Sequence, residues 1–591
     1  MINAEVVLKK TWQIINQNTK KRSKSNQTII YENDNLVNKE DVPNKFINYF
    51  SNIANSLVSE IPQVDVSAES YLNNSNYSYF FMSPIVSQEI ESSISYLKDS
   101  GSGLHKISTL VLKEVKSKIS SVLATILNLC IQNGYFPKEL KVGCITPVFK
   151  KGDKSNISSY RPVCSLSSFS NIFERIIYNR MVKFIDKYDI FSKHQFGFRK
   201  NMSTETALIN FIDFVHKGLT AKHNVGAVFM DLSRAFDVMN HDILESKLKF
   251  YGFRGNFLNL LMSFIRDRKY FVNINGMNSE TRIVNIGVPQ GSTLGPLLFL
   301  LYVNDMENCS SILNFTLFAD DTTLGYSCDN FQNLQNILEQ EVQKVTKWLA
   351  ANKLLLNVNK THSMLFTNKR NVPNLKVRIN NTEIEEKCTT SFLGVQIDNK
   401  LIWKAHISHV CNKISKAIAI LRMLRSVFPL YILRMIYMSL VYSHINYCIL
   451  VWGSAENVHV ERIFKLQKKA VRIITKSYYL EHTAPLFKSL KLINVYKVFE
   501  LNCILFIHKS LNCNYLPDFR VRIQRNSDYH GYNTRGRNMF RNSEVIRLRI
   551  CQRSFLNFGI NVWNSLTPAI KEIKTINSLK ATMKSRYLEA D

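Results

Sequence analysis

The eleven cysteines of this 591-residue chain form no CxxC pair and no Cys/His cluster at zinc spacing. That excludes a disulfide framework and a zinc knuckle, and the thiols read as reduced and intracellular. The amino terminus, MINAEVVLKKTWQIINQ, lacks the apolar core of a signal peptide, because Lys9 and Lys10 break its short run. Long hydrophobic runs are also scarce. The stretch nearest to spanning length, Met435 to Trp452, has no formal charge over 18 residues. Ser439, Ser443, His444 and Asn446 interrupt it and Arg434 precedes it, so a buried helix is expected and no membrane partner. Acid is in short supply: 46 Asp and Glu stand against 76 Lys and Arg, a formal charge of +30. A polyanionic partner is favoured over a neutral one. The cations are spread through the chain, without a polybasic tail beside a hydrophobic span. Hydrophobic residues at 45% suffice for globular packing, and the length calls for several lobes.

The chemistry-bearing stretch is LNFTLFADDTTL, Leu313 to Leu324. Its left arm alternates apolar and polar residues and is rich in aromatic and β-branched types, which predicts a strand. Thr322 to Tyr326 can form a second. Asp320 and Asp321 then sit at a hairpin tip, where adjacent carboxylates repel. Alone, they read as a solvated turn; with a cation against them, oxygen-only ligands suggest Mg²⁺. A third carboxylate, Asp231, ends the apolar run VGAVFM and precedes LSRAFDVMNHDILESKLKFYG, read as one amphipathic helix. Alone, Asp231 would be a helix N-cap. Together, the three carboxylates form a set that can clamp two Mg²⁺ ions about 3.5–4 Å apart. From Asn285, NIGVPQGSTLGPLLFLL supplies Gly287, Gly291 and Gly295 for close backbone approach, and Ser292 or Thr293 to start a helix.

The ordered motifs MDLSRAFD, GVPQGSTLGP and FADD resemble the palm of a reverse transcriptase. They are most similar to jockey-like non-LTR (LINE-type) retrotransposon polymerases. The resemblance implies an α+β right-hand polymerase: fingers, a ferredoxin-like βαββ palm, a helical thumb, and mostly helical N- and C-terminal extensions. Residues 1–100 are expected as a linker, with the family's endonuclease domain absent. The reverse transcriptase domain is expected over 130–397, with fingers from 101 to 200 and palm from 201 to 397. The thumb is expected over 398–455 and a basic C-terminal region over 456–591.

The resemblance also implies roles. Asp231, Asp320 and Asp321 would hold two Mg²⁺ ions, with the Leu232 carbonyl as a further ligand. Arg161 of Tyr160-Arg161-Pro162 would pair with the triphosphate, and Lys150 would lie near it or be plain surface charge. Phe236, five residues past Asp231, would meet the sugar and favour dNTP; on periodicity alone it is core. Asp237 would cap or brace, and Gln290 with Gly291 would support the template–primer pair. Arg199 of HQFGFR would touch template phosphate or brace the fingers. Lys360 would be the general acid for pyrophosphate or a member of a salt bridge. Phe392 to Val395 resembles the primer-grip hairpin. Lys468, Lys469 and Arg472 lie on the basic amphipathic stretch Glu461 to Lys476, a nucleic-acid track or a solvated face. The cluster Lys20 to Lys24 and the arginines Arg535, Arg537, Arg541, Arg547, Arg549 and Arg553 are further candidates for phosphate contact or are solvated surface charge. The implied activity is RNA-directed DNA polymerisation, with an RNA template, a DNA primer or target, and dNTPs. The implied location is intracellular, in nucleus and/or cytoplasm, as a ribonucleoprotein. A binding remnant without turnover is the alternative, and an RNA-dependent RNA polymerase is opposed by Ala319 and Phe236.

Overall fold

The computed structural model describes residues 31–32, 35–36, 38, 40–73, 78–98, 107–370, 372–512, 517–528, 536–542 and 552–590. The cluster Lys20 to Lys24 and Arg535, Arg547 and Arg549 lie outside the described residues. In chain order the principal elements begin with α1 (Val42–Ser59), α2 (Thr109–Gln132), β1 (Val142–Phe149), β2 (Tyr160–Ser165), α3 (Ser168–Lys187) and α4 (Thr204–Thr220). Then come β3 (Asn224–Met230), α5 (His241–Phe250), β4 (Arg268–Ile274), β5 (Arg282–Val284), α6 (Gly295–Tyr302), β6 (Asn314–Phe318), β7 (Asp321–Cys328) and α7 (Phe331–Ala351). The last part holds β8 (His362–Phe366), β9 (Glu385–Glu386), β10 (Thr389–Phe392), β11 (Val395–Asp398), α8 (Lys404–Leu424), α9 (Leu430–Tyr437), α10 (Asn457–Thr475), α11 (Ala484–Ser489), α12 (Val495–Asn512) and α13 (Ile576–Ala590). They divide into two compact units. One is Met1–Ile190, Arg234–Val303 and Ala350–Leu355; the other is Phe191–Ser233, Asn304–Leu349 and Leu356–Asp591.

In the first unit β1 pairs antiparallel with β2 and parallel with β4, and β5 continues antiparallel on β4. α1 covers this sheet. Its Phe46, Ile47 and Phe50 pack into one core with Ile145, Tyr160, Cys164, Tyr270 and Val272. Each such buried side chain contributes roughly 1.5–3 kcal/mol relative to exposure. The single helix expected after Asp231 is in fact two. Ala235–Val238 is one turn, and α5 starts afresh at His241. Asn240 caps α5, its side chain accepting from the Asp242 and Ile243 N–H groups at 2.9 and 3.0 Å. The interruption serves a distant segment: Gly287 N–H donates to Met239 O and Val288 N–H to Phe236 O. A Cβ at Gly287 would lie 2.4 Å from Asp237 O, so the approach requires glycine.

The second unit is built on a five-stranded sheet in the order β9-β8-β3-β7-β6. β3 is antiparallel to both β7 and β8 and is buried along its whole length. Both faces are covered, which explains its unbroken apolar run. Gly226 faces Leu334 and Leu338 of α7, whereas Gly325 faces Phe214 of α4. Gly226 pairs with Tyr326, and Gly325 with Ala227, so the two helices lie on opposite faces. Downstream, α10 packs on α8, and Arg462 donates to Ser408 Oγ at 3.1 Å. The expected boundary at 455/456 therefore falls inside a packed helical bundle. No helix among the described residues is long and apolar enough to cross a membrane. The uncharged stretch from Met435 is broken at Cys448, whose φ is 50°.

Candidate active site

The three candidate carboxylates all belong to the second unit. Thr322 of β7 pairs with Met230 of β3, so the next step of the ladder sets Asp321 level with Asp231. Asp321 also pairs with Phe318 across a two-residue loop of Ala319 and Asp320. Asp320 thus stands at the tip and Asp321 at its foot. Ala319 takes φ 57°, a left-handed conformation that costs an L-residue roughly 1–2 kcal/mol. A side chain of the HQFGFR motif, to which the sequence assigned no role of its own, holds that conformation. Gln195, 1% exposed, accepts through Oε1 from Ala319 N–H at 3.1 Å and from Gly197 N–H at 2.8 Å. A Cβ on Gly197 would come within 2.5 Å of Ala319 N. The signal was present in HQFGFR, but a glutamine two residues before a glycine does not announce which backbone it will hold.

Asp231 is fixed from the other side. Its carbonyl accepts from Asn357 N–H at 2.8 Å, and Leu232 bridges Leu356. Lys360 Nζ lies 3.3 Å from Asp231 Oδ2, with both side chains about half exposed. The salt-bridge alternative for Lys360 is therefore the one its contacts display. Among the described residues no set of three or more His, Cys, Asp or Glu side chains closes into a metal-ligand shell. Mg²⁺ asks for less: it is commonly held by one or two carboxylates, with substrate phosphates and water completing its octahedron. An all-carboxylate donor set fits that ion by chemistry.

The first unit gathers the other candidates. Gln290 Nε2 donates to Asp237 Oδ1 at 2.7 Å, and Cys164 N–H donates to Gln290 O at 2.7 Å. A Cβ at Gly291, whose φ is 128°, would lie 2.3 Å from Cys164 O. The Gln290-Gly291 turn is thus clamped on β2, the strand that carries Arg161. Burial pushes the Asp237 carboxyl above the usual range, while the Gln290 hydrogen bond and the charges of Arg234 and Arg161 pull it down. Arg234 lies 3.7 Å from Asp237 and stacks over Tyr49. Asp237 braces, as expected. The buried Glu174, also unforeseen, accepts from the Thr293 and Leu294 N–H groups at 2.8 and 3.3 Å and so sets the start of α6.

Comparison with known proteins now bears on this geometry. Residues 149–397 match the family of reverse transcriptases (RNA-dependent DNA polymerases). This stretch is a reverse transcriptase domain. The probable RNA-directed DNA polymerase from transposon BS of Drosophila melanogaster is 30% identical over 383 residues, 63% of this chain and 42% of that protein. The RNA-directed DNA polymerase from mobile element jockey of Drosophila funebris is 29% identical over 365 residues, 60% of this chain and 40% of that one. These relatives are polymerases of mobile elements, and the chain resembles them over that stretch. It spans about two fifths of the length of these curated relatives. A structure of telomerase from Candida albicans with a fragment of telomeric RNA aligns over 66% of this chain and 69% of that one, at 13% identity and TM-score 0.35. Divalent-metal dependence goes with the reverse transcriptase family in general.

Within the reverse transcriptase domain, Arg199 donates to Ser192 O and Gln195 O at 2.6 and 3.2 Å and lies over Phe191, which makes it a brace for the Gln195 turn. Phe236 stacks on Phe299 with centroids 4.3 Å apart. Arg161 and Lys150 are exposed. The expected hairpin forms from β10 and β11, with Leu393 and Gly394 at φ 46° and 80°. Tyr447 Oη donates to Leu393 O at 2.7 Å and supports that turn. Beyond the domain, α10 buries Ile463, Val471 and Ile474 and turns its cations outward. Lys468 lies over the Phe464 ring at 4.0 Å, Arg472 Nε donates to Glu481 O at 2.9 Å, and Lys469 is exposed.

Proposed function

We propose that the protein is an RNA-directed DNA polymerase that extends a DNA primer on an RNA template. The observation that carries this reading is the register of β3 on β7, which sets Asp231 level with Asp321 beside Asp320 at the tip. The primer 3′-oxygen bonds to the α-phosphorus of a dNTP, the bond to the bridging oxygen breaks, and pyrophosphate leaves. Asp231, Asp320, Asp321 and the Leu232 carbonyl would hold two Mg²⁺ ions, whose chemistry is to neutralise phosphate charge and acidify the attacking hydroxyl. Lys360, 3.3 Å from Asp231, would serve as the general acid for the departing pyrophosphate. Arg161 and Lys150 bind the triphosphate, Arg161 by its bidentate fork. Gln290 and Gly291, clamped on Cys164, present a rigid edge to the template–primer pair. Phe236, backed by Phe299, sets its ring against the sugar and excludes a 2′-hydroxyl. Lys468, Lys469 and Arg472 follow the nucleic-acid backbone. In right-hand terms, the β3-β7-β6-β8 sheet is the palm, the β1-β2-β4 sheet the fingers, and the helices from α8 onward the thumb. The protein acts inside the cell, in nucleus and/or cytoplasm, as a ribonucleoprotein with its template.

Primer extension on an RNA template, dNTP against NTP, tests this. Extension with dNTP in Mg²⁺ is expected, and its absence in pure, folded protein defeats the proposal. Phe236→Val should raise the NTP/dNTP ratio of kcat/KM by at least tenfold; an unmoved ratio makes Phe236 core and nothing more.

A further inference from the structure

The helices beyond the reverse transcriptase domain enclose a groove of about 520 Å³ that none of the roles above uses. One wall is α9 with the π-helical turn Met438–Tyr442 that follows it; π-turns recur at functional sites. The end of α11 and the helix α13 complete it. Four cations line it: Arg434, Lys488, Lys491 and Lys584. Its single acid, Glu589, accepts from Ser585 Oγ at 2.9 Å. Among the described residues none of the four cations has an ion-pair partner. Arg434 is anchored by its Nε–H donating to Leu490 O at 2.7 Å. Lys584 is partly buried, and burial, Lys580 and Arg434 together depress its ammonium below the ordinary lysine range. Burial is the larger cause and the like charges add to it.

Like charges gathered in a concave site repel one another and focus a positive field, which a polyanion relieves. The floor is different: Met438, Leu492, Ile493 and Leu588 are apolar and Tyr442 is aromatic. A duplex presents phosphate and sugar to a groove of this size, whereas a single strand presents phosphate and an open base or ribose face together. We propose that this groove binds the phosphodiester backbone of single-stranded nucleic acid, with bases or riboses against the apolar floor. The strand's identity as template RNA rests on the polymerase reading; the binding itself does not.

The test is the salt dependence of binding to a short fluorescent single-stranded RNA, with single-stranded DNA of the same sequence in parallel. The triple variant Lys488→Gln, Lys491→Gln, Lys584→Gln should lower the slope of log K against log salt by roughly 2, at about 0.7 per lost phosphate contact. A control with the same charge change on exposed lysines elsewhere, Lys118→Gln, Lys347→Gln, Lys376→Gln, should leave the slope in place. The triple Lys→Arg variant at the groove should retain it too. Should the Gln triple fail to fold, Lys488→Gln with Lys491→Gln, both exposed, should lower the slope by roughly 1.4. Loss with RNA and DNA alike, or with RNA alone, supports the groove. An unchanged slope with both strands, or equal loss in the control triple, overturns it. Single-nucleotide addition at saturating primer–template should be unaffected by the groove variants, so a failure of polymerisation in the parent protein would count against the proposed function and not against the groove.

Discussion

Gln195 shows how much of the candidate site depends on a residue that touches no substrate. One buried oxygen receives two backbone N–H groups, from Gly197 and from Ala319, and the second lies immediately before the carboxylate pair. Removing the acceptor strands both donors, at about 1–3 kcal/mol for a buried unsatisfied group. The cost falls on the hairpin tip, where Ala319 is already left-handed. Gln195→Ala should therefore lower kcat for extension at least tenfold with little change in KM for dNTP, and Gln195→Glu, which keeps the acceptor, should recover part of it. Steady-state kinetics of the two variants check this; equal kcat in parent and Gln195→Ala would make the residue a packing element only. The same scale shows where sequence reading stops. Asp231, Asp320 and Asp321 were legible, because their motifs and spacing survive in the bare chain. The roles of Gln195, Glu174 and Tyr447 were not, since each serves backbone more than a hundred residues away or, for Tyr447, a turn about fifty residues back.

At the level of elements, the apolar patterns read the strands of the candidate site well: β3 and the β6–β7 hairpin lie within a few residues of where those patterns put them. The split after Val238 was invisible, because the local pattern continues as a helix and the interruption is imposed by Gly287 and Val288 docking from fifty residues away. α8 supplies a prediction of its own. His406, 2% exposed in its first turn, accepts from Gln396 N–H on β11 at 3.3 Å. Burial, with smaller contributions from His409 and Lys413, pushes its imidazole down to about 4. An unfolded histidine titrates near about 6.5. Between these values the unfolded chain binds a proton that the folded chain refuses, so this contribution to stability is full above pH 6.5 and is lost as pH falls toward 4. At roughly 1.4 kcal/mol per unit the loss reaches about 3 kcal/mol. Urea unfolding at pH 4.5 and pH 7 should show His406→Gln losing at least about 1 kcal/mol less than the parent over that interval. Parallel losses would contradict the assignment.

For the whole molecule, the formal charge of +30 suits the nucleic-acid partner proposed above, and the charge is not confined to the reverse transcriptase domain. The division of the chain into two units was not legible. Each unit takes three separate segments, and the boundaries at 190/191 and 233/234 fall inside the stretch expected as fingers and palm. The motif order reports which residues serve one chemistry; it does not report where the backbone leaves one compact unit for the next. The carboxylates stand in the second unit, while Arg161, Phe236 and Gln290 stand in the first.

The central claim is that Asp320 at the hairpin tip serves polymerisation, and the most direct measurement is primer extension by Asp320→Asn on an RNA template, with template binding measured on the same preparation. Asn keeps the shape of the tip and removes the charge that a divalent ion requires. Extension below a hundredth of the parent rate is expected, with RNA affinity within about twofold, because a chain of formal charge +30 scarcely notices one lost carboxylate. Extension at a tenth of the parent rate or more would contradict it.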